Sequence, residues 1–346
     1  MHVSATTATM IAIGALRAAG VPEEAAELQA DLLVDAELRG LASHGMLRLP
    51  RILERIDNGV ANPATTGRQR WVADALLDVD GENGLGPVVA TVALDAVSER
   101  ATTTGIACAT IRANNHLGAL AWYVRRIATG GQICLAMTTS EAITHPYGGR
   151  TALIGSNPIA FGVPAHPSPL VFDMATSLVS MGKIHDHANR GRELEPGWAL
   201  DRAGEPTTDP VAAKNGAIAP FGGAKGYGLG IAIEVLVASL TNTALGTQVK
   251  GTLDSVHAST KGDIFIVMQP NSSGPITSIS TYLDEVRASP AASSDSPVAV
   301  PGDRSQARRV LAESEGFDVP DAIWEHLVAR AQAGSGPRTQ ERLHQK

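Results

Sequence analysis

Apolar positions recur with two periods along this chain, and the period changes near residue 72. Before that point the spacing is helical. Over residues 22–40, Ala25, Leu28, Leu32 and Ala36 fall on one face, Pro22 suits a first turn, and Gly40 ends the run. Glu23 and Glu24 complement the positive end of that helix. Residues 43–57 repeat the pattern through Leu49, Ile52, Leu53 and Ile56 and stop at Asn58-Gly59, with Pro50 opening or kinking the second half. From about residue 72 the runs shorten. "WVADALLDVDG", "GIACATIR", "GQICLAMTTS", "NPIAFGVPA", "PLVFDMAT" and "KGDIFIVMQP" read as strands. "PVVATVALDAVSERA", "NNHLGALAWYVRRIA" and the glycine-opened, very apolar "GGAKGYGLGIAIEVLVASLTN" read as helices. Helices return from about residue 275, around a Pro-, Ala- and Ser-rich linker, "ASPAASSDSPVAVPG".

Helical ends around a mixed middle predict an α+β fold. Residues 1–72 together with 275–346 form a discontinuous helical domain, and residues 73–274 form an α+β domain inserted between them. Helices and strands do not alternate strictly, which argues against a doubly wound parallel sheet.

Composition narrows the classes. The 346 residues are 44% hydrophobic and 18% charged, which reads as globular and able to bury a full core. A net charge of −7 argues against nucleic acid as the partner, because phosphate binding needs a concentrated positive field. The two cysteines, Cys108 and Cys134, form no disulfide framework, which predicts a cytoplasmic setting. The first twenty residues carry no basic stretch or cleavage site, and no uninterrupted apolar run is long enough to predict a membrane span.

No GxGxxG follows a strand, since "GENGLGP" and "KGYGLGI" both lack the third glycine; a Rossmann site is not supported. No HExxH or paired CxxC points to a transition metal, and "HDHANR" reads as a polar loop. "SHGMLR" is more informative. In a helix, His44 and Arg48 share a face, with Ser43 placed as a cap. An arginine fork matches a carboxylate, and an imidazole gives or takes a proton at the adjacent oxygen of a 2-oxo or 2-hydroxy acid. The same spacing also fits a solvent-facing pair at a helix end. Three glycine-bearing helix starts are candidate phosphate sites: "NNHLGAL", "GGAKGYG" with Lys225 and Gly226, and "VPGDRSQARR" with Gly302, Arg304, Arg308 and Arg309. Glycine at any of them also serves plain packing.

Together "ASHGMLRLPR", "NNHLGALAWY", "HPYGGRTALIGSNPIAFGVPA", "FDMATSLVSMGKI", "GWALDRAGEPTTDP", "FGGAKGYGLGIAIEVL", "KGDIFIVMQP" and "VPGDR" resemble, in order, the non-Rossmann malate/L-lactate dehydrogenase family. Its relatives include ureidoglycolate and sulfolactate dehydrogenases, 2,3-diketogulonate reductase and Δ1-piperideine-2-carboxylate reductase. The resemblance implies a sulfolactate dehydrogenase-like fold and NAD(P)H-dependent interconversion of a small 2-oxo acid and its 2-hydroxy acid. NAD and NADP are left equal. His44 becomes the proton donor, supported by Ser43, and Arg48 the carboxylate clamp. Ser156 lies near substrate. His116, Leu117, Gly118, Ala119 and Leu120 line the cofactor, Met174, Ala175 and Thr176 touch its nicotinamide side, and Lys225, Gly226, Gly302, Arg304 and Arg308 meet its phosphates. Lys183, a cation in "MGKI", favours an oxo acid over a cyclic imine. An intertwined homodimer with a shared site is also implied. Two alternatives stay open: an imino-acid (C=N) reductase of this family, and a non-catalytic dinucleotide-binding protein. Two stretches depart from the family pattern, "TSEAITHPYGG" and "TQVKGTLDSVHAST", and bear on substrate choice.

Overall fold

Alternation at every second residue builds the centre of the molecule. The computed structural model describes residues 1–271, 276–293 and 296–333; part of the 288–302 linker, the boundary at 274–275 and everything beyond 333 lie outside them. The chain opens with β1 (His2–Val3), α1 (Ala5–Ala18), α2 (Glu23–Leu38) and α3 (Leu49–Asp57). The hairpin β2 (Arg68–Ala73) and β3 (Leu76–Gly84) leads into α4 (Gly86–Thr104), β4 (Ile106–Asn114), α5 (Leu120–Thr129), β5 (Ile133–Thr138), β6 (Ile159–Val163) and β7 (Leu170–Met174). After α6 (Met181–Asn189) come β8 (Ala199–Leu200), β9 (Pro206–Thr207), α7 (Pro210–Ala213) and β10 (Ala217–Ile218). The apolar helix α8 (Ala224–Thr241) and β11 (Gly262–Met268) follow, then α9 (Ile276–Ala288), α10 (Asp303–Glu315), β12 (Phe317–Asp318) and α11 (Asp321–Ala333).

The main sheet has seven strands in the order β2-β3-β4-β11-β5-β6-β7. Only β3 and β4 run parallel, joined by α4; the other pairs are antiparallel. In β11, Phe265 and Val267 join the core shared with α4 and α5, while Ile264 and Ile266 pack with Ile233 and Val237 of α8. The strand is therefore buried on both faces, which explains its continuous apolar run. The fold is α+β, and one parallel pair in a mixed sheet is not a doubly wound arrangement.

The terminal helices pack together. α1 buries Ala8, Ala12, Ala15 and Leu16 at helical spacing. Gly14 lets α11 approach, since a Cβ there would lie 3.0 Å from Ala331 Cβ. β1 pairs with β12, tying the first residues to the last helix. Leu32 and Leu33 of α2 share one core with Val89 and Leu94 of α4.

Three sequence expectations are corrected. Residues 43–57 are not one helix. Gly45 adopts φ −95° and ψ −141° and separates a 3₁₀ turn at Ala42–His44 from another at Met46–Arg48, which leads into α3, and Ser43 caps nothing. Pro50 sits in the first turn of α3, where its missing N–H costs nothing. Residues 114–128 are not one helix either. Asn114 ends β4 with its side-chain amide donating to Asp263 of β11 at 3.0 Å, and α5 begins only at Leu120. The "HDHANR" stretch is helical, in α6, capped by Ser180 Oγ, with Asp186 paired to Arg190 and Arg192. In addition, α8 is long and apolar enough to meet the length and hydropathy test for a membrane span, at a mean hydropathy of 1.3. It carries the buried Glu234 and packs on the sheet.

Candidate active site

Glu37 on α2 fixes the turn that carries the chemistry. Its buried carboxyl accepts the Met46 N–H at 2.7 Å, and a Cβ on Gly45 would lie 2.4 Å from that same oxygen. Only glycine fits between the His44 and Arg48 turns. Burial raises the Glu37 carboxyl to about 7, against the opposing Met46 hydrogen bond.

Around this brace, Ser43, His44 and Arg48 close into one unit. Arg48 Nε donates to the Ser43 carbonyl at 2.8 Å, and Ser43 Oγ lies 3.0 Å from His44 Nδ1. The contact closes between chain neighbours at the end of the Ala42–His44 turn. With Nδ1–H donating to the serine hydroxyl, neutral His44 keeps Nε2 free to take a proton. His116 stacks on His44, with ring centroids 5.8 Å apart and planes inclined by 29°. His116 Nδ1 accepts the Gly118 N–H at 3.0 Å, so the proton of neutral His116 sits on Nε2. Desolvation, then the Arg48 charge, pulls His44 down to about 4, and the same causes hold His116 well below its ordinary value. Burial and Arg51 lower Arg48. Among the described residues no carboxyl group pairs with Arg48.

Both histidines and Arg48 line a cavity of about 340 Å³. Ser43, Ser156, Leu117, Gly118, Ala119, Leu120, Met174 and Ala175 line it as well. A glycine outside this lining supports His116 by a close approach. Gly86, from the "GENGLGP" turn, packs so tightly that a Cβ would meet the His116 carbonyl at 2.1 Å.

The remaining expected residues lie elsewhere. Thr176 is buried behind the wall, its N–H and hydroxyl donating to the Ser156 carbonyl at 2.7 and 3.0 Å. Lys183 is not in the cavity lining; it is exposed on α6 with Nζ 4.4 Å over the Trp198 ring. Lys225 is exposed, and Gly226 serves packing, since a Cβ would run into the Phe221 carbonyl at 1.8 Å. Gly302 caps α10 beside Val171, Arg304 is exposed, and the Arg308 stem lies against Gly40. Arg309 pairs with Asp35 and Glu313. Asn114 and Asn115 cap no helix; Asn115 receives Arg55 Nε at 2.8 Å and donates to the Asn83 and Gly84 carbonyls. The start of α5 is occupied by Asp173, whose carboxyl accepts the Ala121 N–H at 2.8 Å, so it is not open to a phosphate.

Several lining residues escaped the sequence reading. Lys261 is 2% exposed and ion-paired with Asp263, which also accepts from Thr138 Oγ1 at 2.5 Å. Two charges at period two inside an apolar strand run were the available signal. Asp173 is raised to about 6, first by burial. Thr138, Thr139, Ser140 and Glu141 contribute from the end of β5, and Thr252 and Leu253 from the loop before β11.

A half-buried histidine pair beside an arginine with no carboxylate partner among the described residues, in a cavity with an apolar wall, has the chemistry to move a proton and to hold a small anion. Leu117, Pro158 and Met174 beside the hydroxyls of Thr139, Ser140 and Ser156 fit a nicotinamide ring and its carboxamide. The chain matches the malate/L-lactate dehydrogenase family over residues 3–328. It is 34% identical over 327 residues to malate/(S)-sulfolactate dehydrogenase of Methanothermus fervidus, covering 94% of this chain and 96% of that one. It is 32% identical to ureidoglycolate dehydrogenase (NAD(+)) of Escherichia coli, covering 96% of each. With (2R)-3-sulfolactate dehydrogenase (NADP(+)) of Chromohalobacter salexigens the identity is 34%, covering 95% and 98%. A solved dehydrogenase from Sinorhizobium meliloti superposes with a TM-score of 0.93 at 49% identity, covering 96% and 98%. Δ1-piperideine-2-carboxylate reductase of Pseudomonas syringae superposes at 0.85 and 28%, covering 95% and 99%. The chain belongs to the malate/L-lactate dehydrogenase family and is an NAD(P)-dependent oxidoreductase.

Proposed function

We infer that this enzyme interconverts a small 2-oxo acid and its 2-hydroxy acid. The observation that carries the reading is the free end of Arg48 facing the same cavity as His44. A guanidinium held by its Nε leaves two nitrogens for a bidentate carboxylate. The oxygen on the neighbouring carbon then falls to His44 Nε2. In oxidation, neutral His44 takes the hydroxyl proton from the 2-hydroxy acid; in reduction it returns that proton to the oxygen formed at C2. Ser43 holds the ring through Nδ1 during both. The nicotinamide dinucleotide, when bound, supplies or accepts the hydride. Leu117, Pro158 and Met174 exclude water from its ring, and Arg48 fixes which face of C2 it meets.

The C=N alternative uses the same clamp and proton donor, and the superposed imino-acid reductase supports it as a relative. Lys183 no longer separates the two, because it sits on Trp198 rather than in the cavity. Turnover of pyruvate, oxaloacetate and Δ1-piperideine-2-carboxylate with NADH and NADPH, followed at the nicotinamide absorbance, tests the reading. His44→Ala is expected to cut turnover by about 10²–10⁴-fold while the dinucleotide still binds. Arg48→Ala is expected to raise KM for the acid. Parent-like kinetics in His44→Ala contradict the assignment, and dinucleotide binding without any turnover supports a non-catalytic protein instead.

The same reading includes a homodimer. One side of α8 leaves Leu229, Val235, Leu236 and Leu240 exposed, a continuous apolar face that a second copy of the chain fits. The free cysteines suit a cytoplasmic enzyme.

A further inference from the structure

The two stretches that depart from the family pattern meet across the cavity. Glu141, from "TSEAITHPYGG", reaches the loop before β11. Its Oε1 accepts the N–H groups of Thr252 and Leu253, both at 2.8 Å, and the Thr252 hydroxyl at 3.3 Å. On the other side α3 holds the same segment. Arg51 donates to the Leu253 carbonyl at 2.8 Å, Arg55 to the Asp254 carbonyl at 2.7 Å, and Asn58 to the Ser255 carbonyl at 2.8 Å. Residues 251–255 thus form a strap fastened at both edges, with Thr252 and Leu253 in the cavity wall.

Fastening the strap occupies the nearby guanidinium groups, and neither Arg51 nor Arg55 lines the cavity. Arg51 is committed to Leu253 and lies 3.6 Å from Glu54. Arg55 is committed to Asn115 and Asp254, and Lys261 to Asp263. Arg48 alone among the cationic side chains lining the cavity is left without an acidic partner among the described residues. A second substrate carboxylate would sit near Glu141 with no cation to receive it, and burying an unpaired anion is costly. Ile143, Met181 and Leu253 instead offer apolar surface.

We propose that the 251–255 strap, latched by Glu141, is the specificity wall of this site, and that Leu253 selects a 2-oxo acid with one carboxylate and an aliphatic side chain. This rests on the 2-oxo acid reading above. It separates the chain from the relatives named for malate and sulfolactate, whose substrates carry two anionic groups. Leu253 acts by contact with substrate; Glu141 is a positioning residue that acts through the strap.

The test is steady-state kinetics on the purified full chain with 2-oxobutyrate and oxaloacetate, each with NADH and NADPH. The parent is expected to favour 2-oxobutyrate in kcat/KM by about tenfold or more, and Leu253→Arg to move that ratio towards oxaloacetate by about tenfold. Glu141→Ala is expected to raise KM for 2-oxobutyrate with KM for the dinucleotide held. Glu141→Gln, which keeps an acceptor oxygen for the two amides, is expected to lose less. A parent that favours oxaloacetate, or a folded Leu253→Arg with an unmoved ratio, overturns the proposal. So does Glu141→Ala if both KM values rise together or neither moves, a result independent of whether the arginine variant folds. Absence of turnover with either acid overturns the underlying reaction as well, whereas the other failures leave that reaction standing.

Discussion

His44 is held neutral because burial and the Arg48 charge both oppose its protonation. A substrate carboxylate on Arg48 removes one of those causes. The His44 pKa then rises from about 4 towards its ordinary value, so anion binding should draw in protons. Calorimetric titration with oxamate in two buffers of different ionisation heat reads this directly. Net proton uptake is expected near pH 5.5, and it should vanish in His44→Ala; equal heats in both buffers would contradict the coupling. At this scale the sequence was legible in part. Ser43, His44 and Arg48 stood out as chemistry, but helical spacing was the wrong reason for grouping them: Gly45 breaks the helix, and the group is closed by Arg48 bonding back to the Ser43 carbonyl and by Ser43 meeting His44. Glu141 and Asp173 were not legible because their partners lie 111 and 52 residues away, and Lys261 because its role depends on burial beside the sheet.

Among the elements, the turn between His44 and Arg48 depends on α2. Gly45→Ala drives a methyl into Glu37, and overpacking of this kind costs about 1–3 kcal/mol. Thermal unfolding should show the loss, and KM for the acid should rise because Arg48 moves with the turn. Glu37 adds a pH signature. Its carboxyl titrates near 4.5 when unfolded and about 7 when folded, so the folded state holds the proton more tightly. That contribution is full below pH 4.5 and is lost as pH rises through 7, by about 3 kcal/mol. Glu37→Gln removes it, so its melting temperature relative to the parent should improve from pH 5 to pH 8; a constant difference would show that Glu37 does not titrate there. Element legibility followed the same logic. Helical spacing located α2, and apolar runs located α4, α8 and β11, whereas the asparagine signal before α5 misled. Asn114 is drawn into β4 by Asp263, and the helix takes its cap from Asp173, fifty residues on.

Across the whole molecule, the α+β class followed from the change of period near residue 72 and from the lack of strict alternation. The seven-strand order did not, because β11 inserts between β4 and β5 from about 130 residues downstream of α5. α8 links fold and assembly. Its inner face packs Ile233 and Val237 on the sheet, and Glu234 accepts from Asn157 Nδ2 at 2.7 Å beside Ser156. Its outer face is the apolar surface assigned to the dimer. Val235→Glu with Leu236→Glu should convert a dimer to monomers in sedimentation velocity; a parent that already sediments as a monomer would remove the dimer from the account. The most direct measurement of the central claim is a crystal structure with oxamate and a reduced nicotinamide dinucleotide bound. The account predicts the oxamate carboxylate on the free guanidinium nitrogens of Arg48 and its 2-oxo oxygen on His44 Nε2, with the nicotinamide against Met174. Oxamate bound away from Arg48, or His44 and Arg48 turned to different ligands, would contradict it.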